Sequence, residues 1–196
     1  MDPNNPAVQS MQGKVKHILK EMGIDMRDPN FENTPLRWLK YLHHYNQRYN
    51  PAQDLGITFP LEDADDKFDR AMVIQTGIPY RAICAHHLVP VLGTAHIGYI
   101  PSRRVVGLSK ISRLLYGLSH STPSLQEDVG NAVVDALQEH LKPLGAMCVI
   151  SAEHGCMSAR GVEEATGCID TVTSHVRGCF EEPAVRMEFL ALAGIK

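Results

Sequence analysis

No run of apolar residues in this chain approaches the roughly 18 needed to cross a bilayer, and no block of like charge runs along it. A formal net charge of −3 and a pI near 6.3 set aside general nucleic-acid binding, which favours a basic face. The leading MDPNNPAVQSM lacks the basic-then-apolar form of a signal peptide, so the expected compartment is the cytoplasm, without a membrane partner. There is no P-loop, no dinucleotide-binding glycine pattern, no internal repeat and no low-complexity tract. Cysteine is sparse and odd in number: Cys84, Cys148, Cys156, Cys168 and Cys179 form no disulfide-like framework, and reduced thiols are expected. What is present is 196 residues with 44% hydrophobic content, enough to bury a core in one domain with an appendage.

The chemistry gathers in ICAHHLVPVLGTAHIGY, residues 83–99. Cys84 and His87 stand three apart with His86 between them, and a second cluster follows at His154 and Cys156. One Zn²⁺ held by Cys84, His87 and Cys156 would keep a fourth position for water, the stoichiometry of a catalytic zinc. His86 and His154 would then be free for proton transfer. On spacing alone a competing reading stands beside this one, in which the thiols are small buried hydrophobes and the imidazoles ordinary core or surface residues.

Apolar spacing of three and four predicts a helix over residues 6–22 and another from Thr34 to about Tyr45, with Thr34 as N-cap, Pro35 in the first helical position and Trp38, Leu39 and Leu42 on its apolar face. Residues 50–66 read as an acidic, turn-rich connector. Period-two patterning predicts strands at 72–76, 79–84 and 93–100, the first two separated by a turn at Gly77 and Pro79, with His96 facing the surface. A helix capped by Ser109 should run to about Leu118, carrying Lys110 and Arg113 on one face at its positive end; this makes either a phosphate site or a solvated pair. Another spans about 124–141, where Ser124 and Glu127 fit a capping box. Residues 146–152 read as a strand in which Cys148 packs, and 171–174 and 185–191 as closing strand segments.

The order C-x-H-H-L-V-P, H-I-G-Y-I-P, G-L-S-K-x-x-R, Q-E, H-x-C-M-x-x-R-G-V, T-V-T-S-x-V-R-G and R-x-E-F-L, with the T-P-x-R of the second helix, resembles the GTP cyclohydrolase I family over about residues 28–192. The resemblance implies that Cys84, His87 and Cys156 bind zinc and that His86 and His154 are the unligated catalytic histidines. It implies that Lys110, Arg113, Arg160 and Arg37 hold the triphosphate of GTP, with Ser109 on the same phosphate-facing turn. It also implies that Gln126 and Glu127 meet the nucleotide, the Glu127 carboxylate accepting from guanine N1–H and the 2-amino group.

The implied reaction is zinc-dependent hydrolysis of a cyclic amidine C–N bond and rearrangement of GTP to 7,8-dihydroneopterin triphosphate with loss of formate, opening pterin, folate or 7-deazaguanine synthesis. The implied fold is α+β, of tunnelling-fold type: an N-terminal helical region and connector (1–66), then a catalytic domain (67–196) whose antiparallel sheet carries two helices on one face. Such sheets join into rings, and the resemblance suggests a homodecamer with sites between subunits. Two neighbouring readings share these residues: a hydrolase that stops early or prefers dGTP, and a nucleotide-binding protein without turnover. Three positions depart from the family pattern: Ala85 replaces a usual glutamate, 162–170 is longer than usual, and 120–124 replaces a commonly basic stretch.

Overall fold

The computed structural model describes residues 1–61, 71–160 and 169–195. The longer 162–170 stretch therefore lies largely outside the described residues. The chain divides into two compact units, Met1–Gln47 and Arg48–Lys196.

In the first unit, α1 (Pro6–Glu21) starts where the Asn5 side chain accepts from Ala7 N at 2.9 Å and Pro6 supplies a fixed φ. Its Val8 and Val15 are buried. Helix α2 (Thr34–His44) begins one residue ahead of expectation, with Asn33 at the N-cap position and no side-chain cap. Thr34 N is already tied back to Phe31 O at 3.1 Å, which draws Thr34 into the helix. Pro35 is buried in the first turn, whereas Trp38 is exposed rather than on a core face.

In the second unit, the connector stretch contains α3 (Ala52–Leu55) and β1 (Thr58–Pro60), and Leu55 is fully buried in the main core. Four strands make an antiparallel sheet: β2 (Val73–Ile83), β3 (Pro90–Ile100), β5 (Gly145–His154) and β6 (Thr171–Gly178), in the order β2-β3-β5-β6. Strand β4 (Arg104–Val106) pairs with β1 as a separate ribbon. The expected turn at Gly77 is not a turn. Residues 73–83 form one strand with a bulge between Gln75 and Ile78, and Gly77 takes φ +64, a conformation that glycine reaches without steric cost.

Helices α4 (Leu108–Ser119) and α5 (Gln126–Leu141) cover one sheet face, where Ile111, Leu114, Leu115, Val133 and Leu137 meet Tyr80, Ala95, Ile97, Cys148 and Ile150. Each fully buried Leu, Ile or Val side chain contributes about 1.5–3 kcal/mol. Cys148 is fully buried as expected, and that burial pushes its thiol up to about 12. Residues 185–191 are not a strand: they belong to α7 (Pro183–Ala193), which packs Phe189 with Phe180, Met147 and Val149 on the opposite sheet face. Pro183 in its first turn and Gly194 at its left-handed end, φ +70, give this segment helical punctuation. His96 is half-buried rather than surface-facing, its Nδ1 enclosed without a partner.

Both expected caps fail. Gly107 occupies the N-cap of α4, with Lys110 N donating to its carbonyl at 2.8 Å, and Ser109 lies exposed in the first turn. At α5 the N-cap is Leu125, and Ser124 Oγ is buried without a partner. Ser124 N instead donates to Ile83 O at 3.2 Å and the residue bridges to Cys84, so the sheet takes it and no capping box forms. Glu127 is left exposed and uncommitted to the cap. Among the described residues no helix is long and apolar enough to cross a membrane.

Candidate active site

The bridge from Ser124 to Cys84 has a positional consequence: it seats the start of α5 beside the end of β2. There the chain turns sharply, Leu88 N donating to Cys84 O and Cys84 N to Val89 O, each at 2.9 Å. Leu88 sits at φ +54, an uncommon conformation for a branched residue, held by those two bonds. The turn brings Cys84 Sγ to 3.7 Å from His87 Nδ1. One ligand atom from each of Cys84, His86 and His87 falls within 4.8 Å of the others.

The register of β3 on β5 sets Val91 opposite His154. A four-residue helix, α6 (Gly155–Ser158), follows at once and carries Cys156. Gly155 passes so close to Pro90 that a side-chain Cβ there would stand 2.8 Å from the Pro90 carbonyl oxygen. Cys156 thereby reaches Cys84: burial, and then the neighbouring Cys84 thiol through charge and a hydrogen bond, push the Cys156 thiol above its ordinary value. Two thiols in hydrogen-bond contact beside an imidazole suit a zinc ion, whose borderline softness matches sulfur and nitrogen. Arg160 adds positive charge here; it opposes the rise at Cys156 and, after desolvation, is the next cause lowering His87.

His154 closes the group. Burial lowers its pKa, and the nearby Glu127 carboxylate opposes that shift. Its Nε2 lies 2.9 Å from Gln126 Oε1. The Gln126 amide nitrogen in turn reaches Ile150 O at 3.0 Å, Thr171 O at 2.9 Å and Thr173 Oγ1 at 3.1 Å. With 2% exposure, the Gln126 side chain is directed inward, into these bonds with β5 and β6. Its polar atoms find partners within the fold, which is where a buried amide is most stable. Glu127, one residue on, faces outward.

Lys110 and Arg113 lie elsewhere. At the start of β2, Gln75 donates to Leu108 O at 2.6 Å and accepts from Ser112 Oγ at 3.2 Å, which fixes the α4 N-terminus there. Cys84 follows Gln75 by nine positions along the strand, roughly 25–30 Å at strand spacing. Lys110 Nζ donates to Asp54 Oδ1 at 3.1 Å and Arg113 Nη1 stands 4.0 Å from the same oxygen. Tyr49 donates its hydroxyl to Asp54 Oδ2 at 3.0 Å. Within one chain the structure thus brings Cys84, His86, His87, His154, Cys156 and Arg160 together with the start of α5, and groups Lys110 and Arg113 apart with Ser109 in the same helical turn. Arg37 lies exposed on α2 in the first unit. Asp54 and Tyr49 went unread in the sequence: Asp54 finds Lys110 across 56 positions, a distance no local pattern reports.

These features define an α+β protein with a thiol–imidazole cluster, a candidate metal site, at one end of an antiparallel sheet. A profile of GTP cyclohydrolase I matches residues 11–194. The chain is 38% identical over 189 residues to GTP cyclohydrolase 1 of Saccharomyces cerevisiae, covering 95% of this chain and 75% of that one. It is 38% identical over 188 residues to the Halalkalibacterium halodurans protein of the same name, covering 94% and 95%, and 34% identical over 188 residues to that of Porphyromonas gingivalis, covering 96% and 94%. The chain belongs to the GTP cyclohydrolase I family.

Proposed function

We propose that this protein converts GTP to 7,8-dihydroneopterin triphosphate with release of formate, in the cytoplasm, feeding pterin and folate or 7-deazaguanine synthesis. The observation that carries the reading is the cluster of Cys84, His86 and His87, with Cys156 in hydrogen-bond contact with Cys84. Cys84, His87 and Cys156 would hold zinc. His86 also falls within donor range, but two thiolates and one imidazole are the softer set and leave His86 for proton work.

Zinc held there would supply Lewis acidity, by which water could act as a nucleophile on C8 of the purine at neutral pH. The remaining work falls to side chains. His154, beside the cluster and half-buried, delivers a proton to N7 as the imidazole ring opens, and His86 serves the later proton transfers. Glu127 at the α5 start accepts from N1–H and the 2-amino group, one fixed acceptor for two adjacent donors. Arg160, Lys110, Arg113 and Arg37 clamp the triphosphate, with Ser109 on the Lys110 turn; the phosphates do not react, so the clamp works by positioning.

Lys110 and Arg113 stand too far from Cys84 in one chain for a single GTP to touch both groups. This separation supports a site shared between copies, in which one copy supplies the cluster and another the cations; the homodecameric ring is what the family resemblance implies. Among the described residues β2 and β6 are the outer strands of the sheet, which favours the same arrangement, since an exposed strand edge calls for a partner. The test is product analysis on zinc-loaded protein with GTP and with dGTP. Matching yields of formate and dihydroneopterin triphosphate from GTP are expected, while a ring-opened product or a preference for dGTP would replace the reading with that of a related hydrolase.

A further inference from the structure

The bonds around Gln126 determine where the proton sits on His154. The amide nitrogen of Gln126 faces Ile150 O at 3.0 Å and Thr171 O at 2.9 Å, with Thr173 Oγ1 at 3.1 Å. Main-chain carbonyl oxygens only accept, so the group facing them must be the NH₂ and not the oxygen. The reversed amide would press an oxygen lone pair against two carbonyls in a site with 2% exposure and lose both bonds. The amide orientation is therefore dictated by its surroundings. Oε1 then faces His154 Nε2 at 2.9 Å. An amide oxygen only accepts, so Nε2 must carry a hydrogen. A neutral imidazole with Nε2–H has its lone pair on Nδ1, and among the described residues no partner occupies that nitrogen.

We propose that Gln126 is a positioning residue that holds His154 as its Nε2–H tautomer, so that Nδ1 is the nitrogen through which His154 exchanges protons with the nucleotide. In the protonated ring both nitrogens carry hydrogen. Transfer from Nδ1 to the purine nitrogen breaks Nδ1–H, forms N–H on the substrate and leaves the neutral ring already bonded to Gln126. Nε2 keeps its hydrogen throughout, and the ring need not turn between steps. The same bonds explain why the side chain of Gln126 is withheld from the nucleotide while that of its neighbour Glu127 is offered. His154 ends β5, the three acceptors lie on β5 and β6, and Gln126 opens α5; Gln126 thus ties the imidazole to three elements at once. The kinetic part of this inference rests on the proposed reaction, and the tautomer does not.

The experiment has two arms. Solid-state ¹⁵N spectra of zinc-loaded, histidine-labelled protein at about pH 8.5, well above the ordinary imidazole value, report the tautomer directly, with His154 identified by the signal lost in His154→Asn. A protonated Nε2 and a bare Nδ1 are expected; a protonated Nδ1 overturns the proposal whether or not the protein turns over GTP. In the second arm, Gln126→Met removes the acceptor at similar length. With zinc content unchanged, kcat should fall about tenfold to a hundredfold, the usual cost of losing such a support, and KM for GTP should stay within about twofold. A raised KM with kcat intact would make Gln126 a nucleotide ligand, and no change in either would make it only a rivet between strands; each contradicts the proposal. If Gln126→Met does not fold, the spectrum of the natural protein decides alone.

Discussion

Lys110 and Asp54 form an ion pair at 3.1 Å in which each side chain keeps only 15% of its exposure. Asp54 is held from its other oxygen by Tyr49, whose hydroxyl is pushed above its ordinary range first by burial and then by that hydrogen bond and charge. A carboxylate thus stands where Lys110 and Arg113, two of the cations proposed for the triphosphate, meet. The Lys110 contact uses one of its three ammonium hydrogens and leaves two for an anion.

Removing Lys110 should therefore act on the phosphates and on the fold together. Lys110→Ala should weaken GTP binding far more than guanosine binding, measured by calorimetry. It should also lower stability by about 1–3 kcal/mol, because Asp54 is left half-enclosed without its partner. Equal weakening of GTP and guanosine would remove Lys110 from the phosphate site.

Two enclosed histidines set an acid limit on stability. Burial lowers the pKa of both His96 and His175 from 6.5, and His96 Nδ1 and His175 Nε2 are buried without partners. Asn131 Oδ1 lies 3.0 Å from His175 Nδ1; around that ring Arg177 deepens the lowering, while Glu127 and Asp135 oppose it. A depressed folded pKa means that the unfolded chain binds more protons in this window, so the contribution is present above the unfolded value and lost as pH falls through the folded one. Urea midpoints should hold from pH 8 to about 6.5 and decline below it, and the double variant His96→Gln, His175→Gln should show a flatter decline. An identical slope in the variant would assign the acid loss to other groups.

His154 is proposed to move protons without holding metal. His154→Asn should retain zinc and GTP binding, read by metal analysis and calorimetry, and lose about a hundredfold to ten-thousandfold in kcat, the span of general acid–base catalysis. Loss of zinc in that variant would make His154 a ligand.

Ala85 lies between Cys84, proposed as a zinc ligand, and His86, where the resemblance to the family implies a carboxylate. A supporting acid of that kind typically changes activity by about tenfold to a hundredfold. Ala85→Glu should raise turnover or shift its pH profile without changing zinc content. A natural protein that is silent and a variant that is active would mark this chain as a disabled relative.

Where the sequence was legible, local rules sufficed. The spacing of Val8, Val15 and Ile18 located α1, and the β-branched run around Ala95 and Ile97 located β3. Segment 185–191 misled because Val185, Met187, Phe189 and Ala191 alternate like a strand while Val185 and Phe189 also stand one helical turn apart. Pro183 and Gly194 decide between the two patterns. Gly77 signals a turn and a bulge equally, and only pairing with β3 distinguishes them. The clustering of Cys84 with His86 and His87 was readable because it is local; the approach of Cys156 depended on the register of two strands. The inward commitment of Gln126 was not readable at all, since its acceptors lie 24, 45 and 47 positions away.

The cluster at Cys84, His87 and Cys156 is proposed to drive a GTP cyclohydrolase reaction. The most direct measurement is simultaneous quantification of formate and oxidised, fluorescent pterin from GTP, using protein with verified zinc beside its Cys156→Ala variant. Equal amounts of both products and about one zinc per chain are expected from the natural protein, and neither zinc nor product from the variant. GTP bound without formate, or full zinc and turnover in Cys156→Ala, would contradict the proposal.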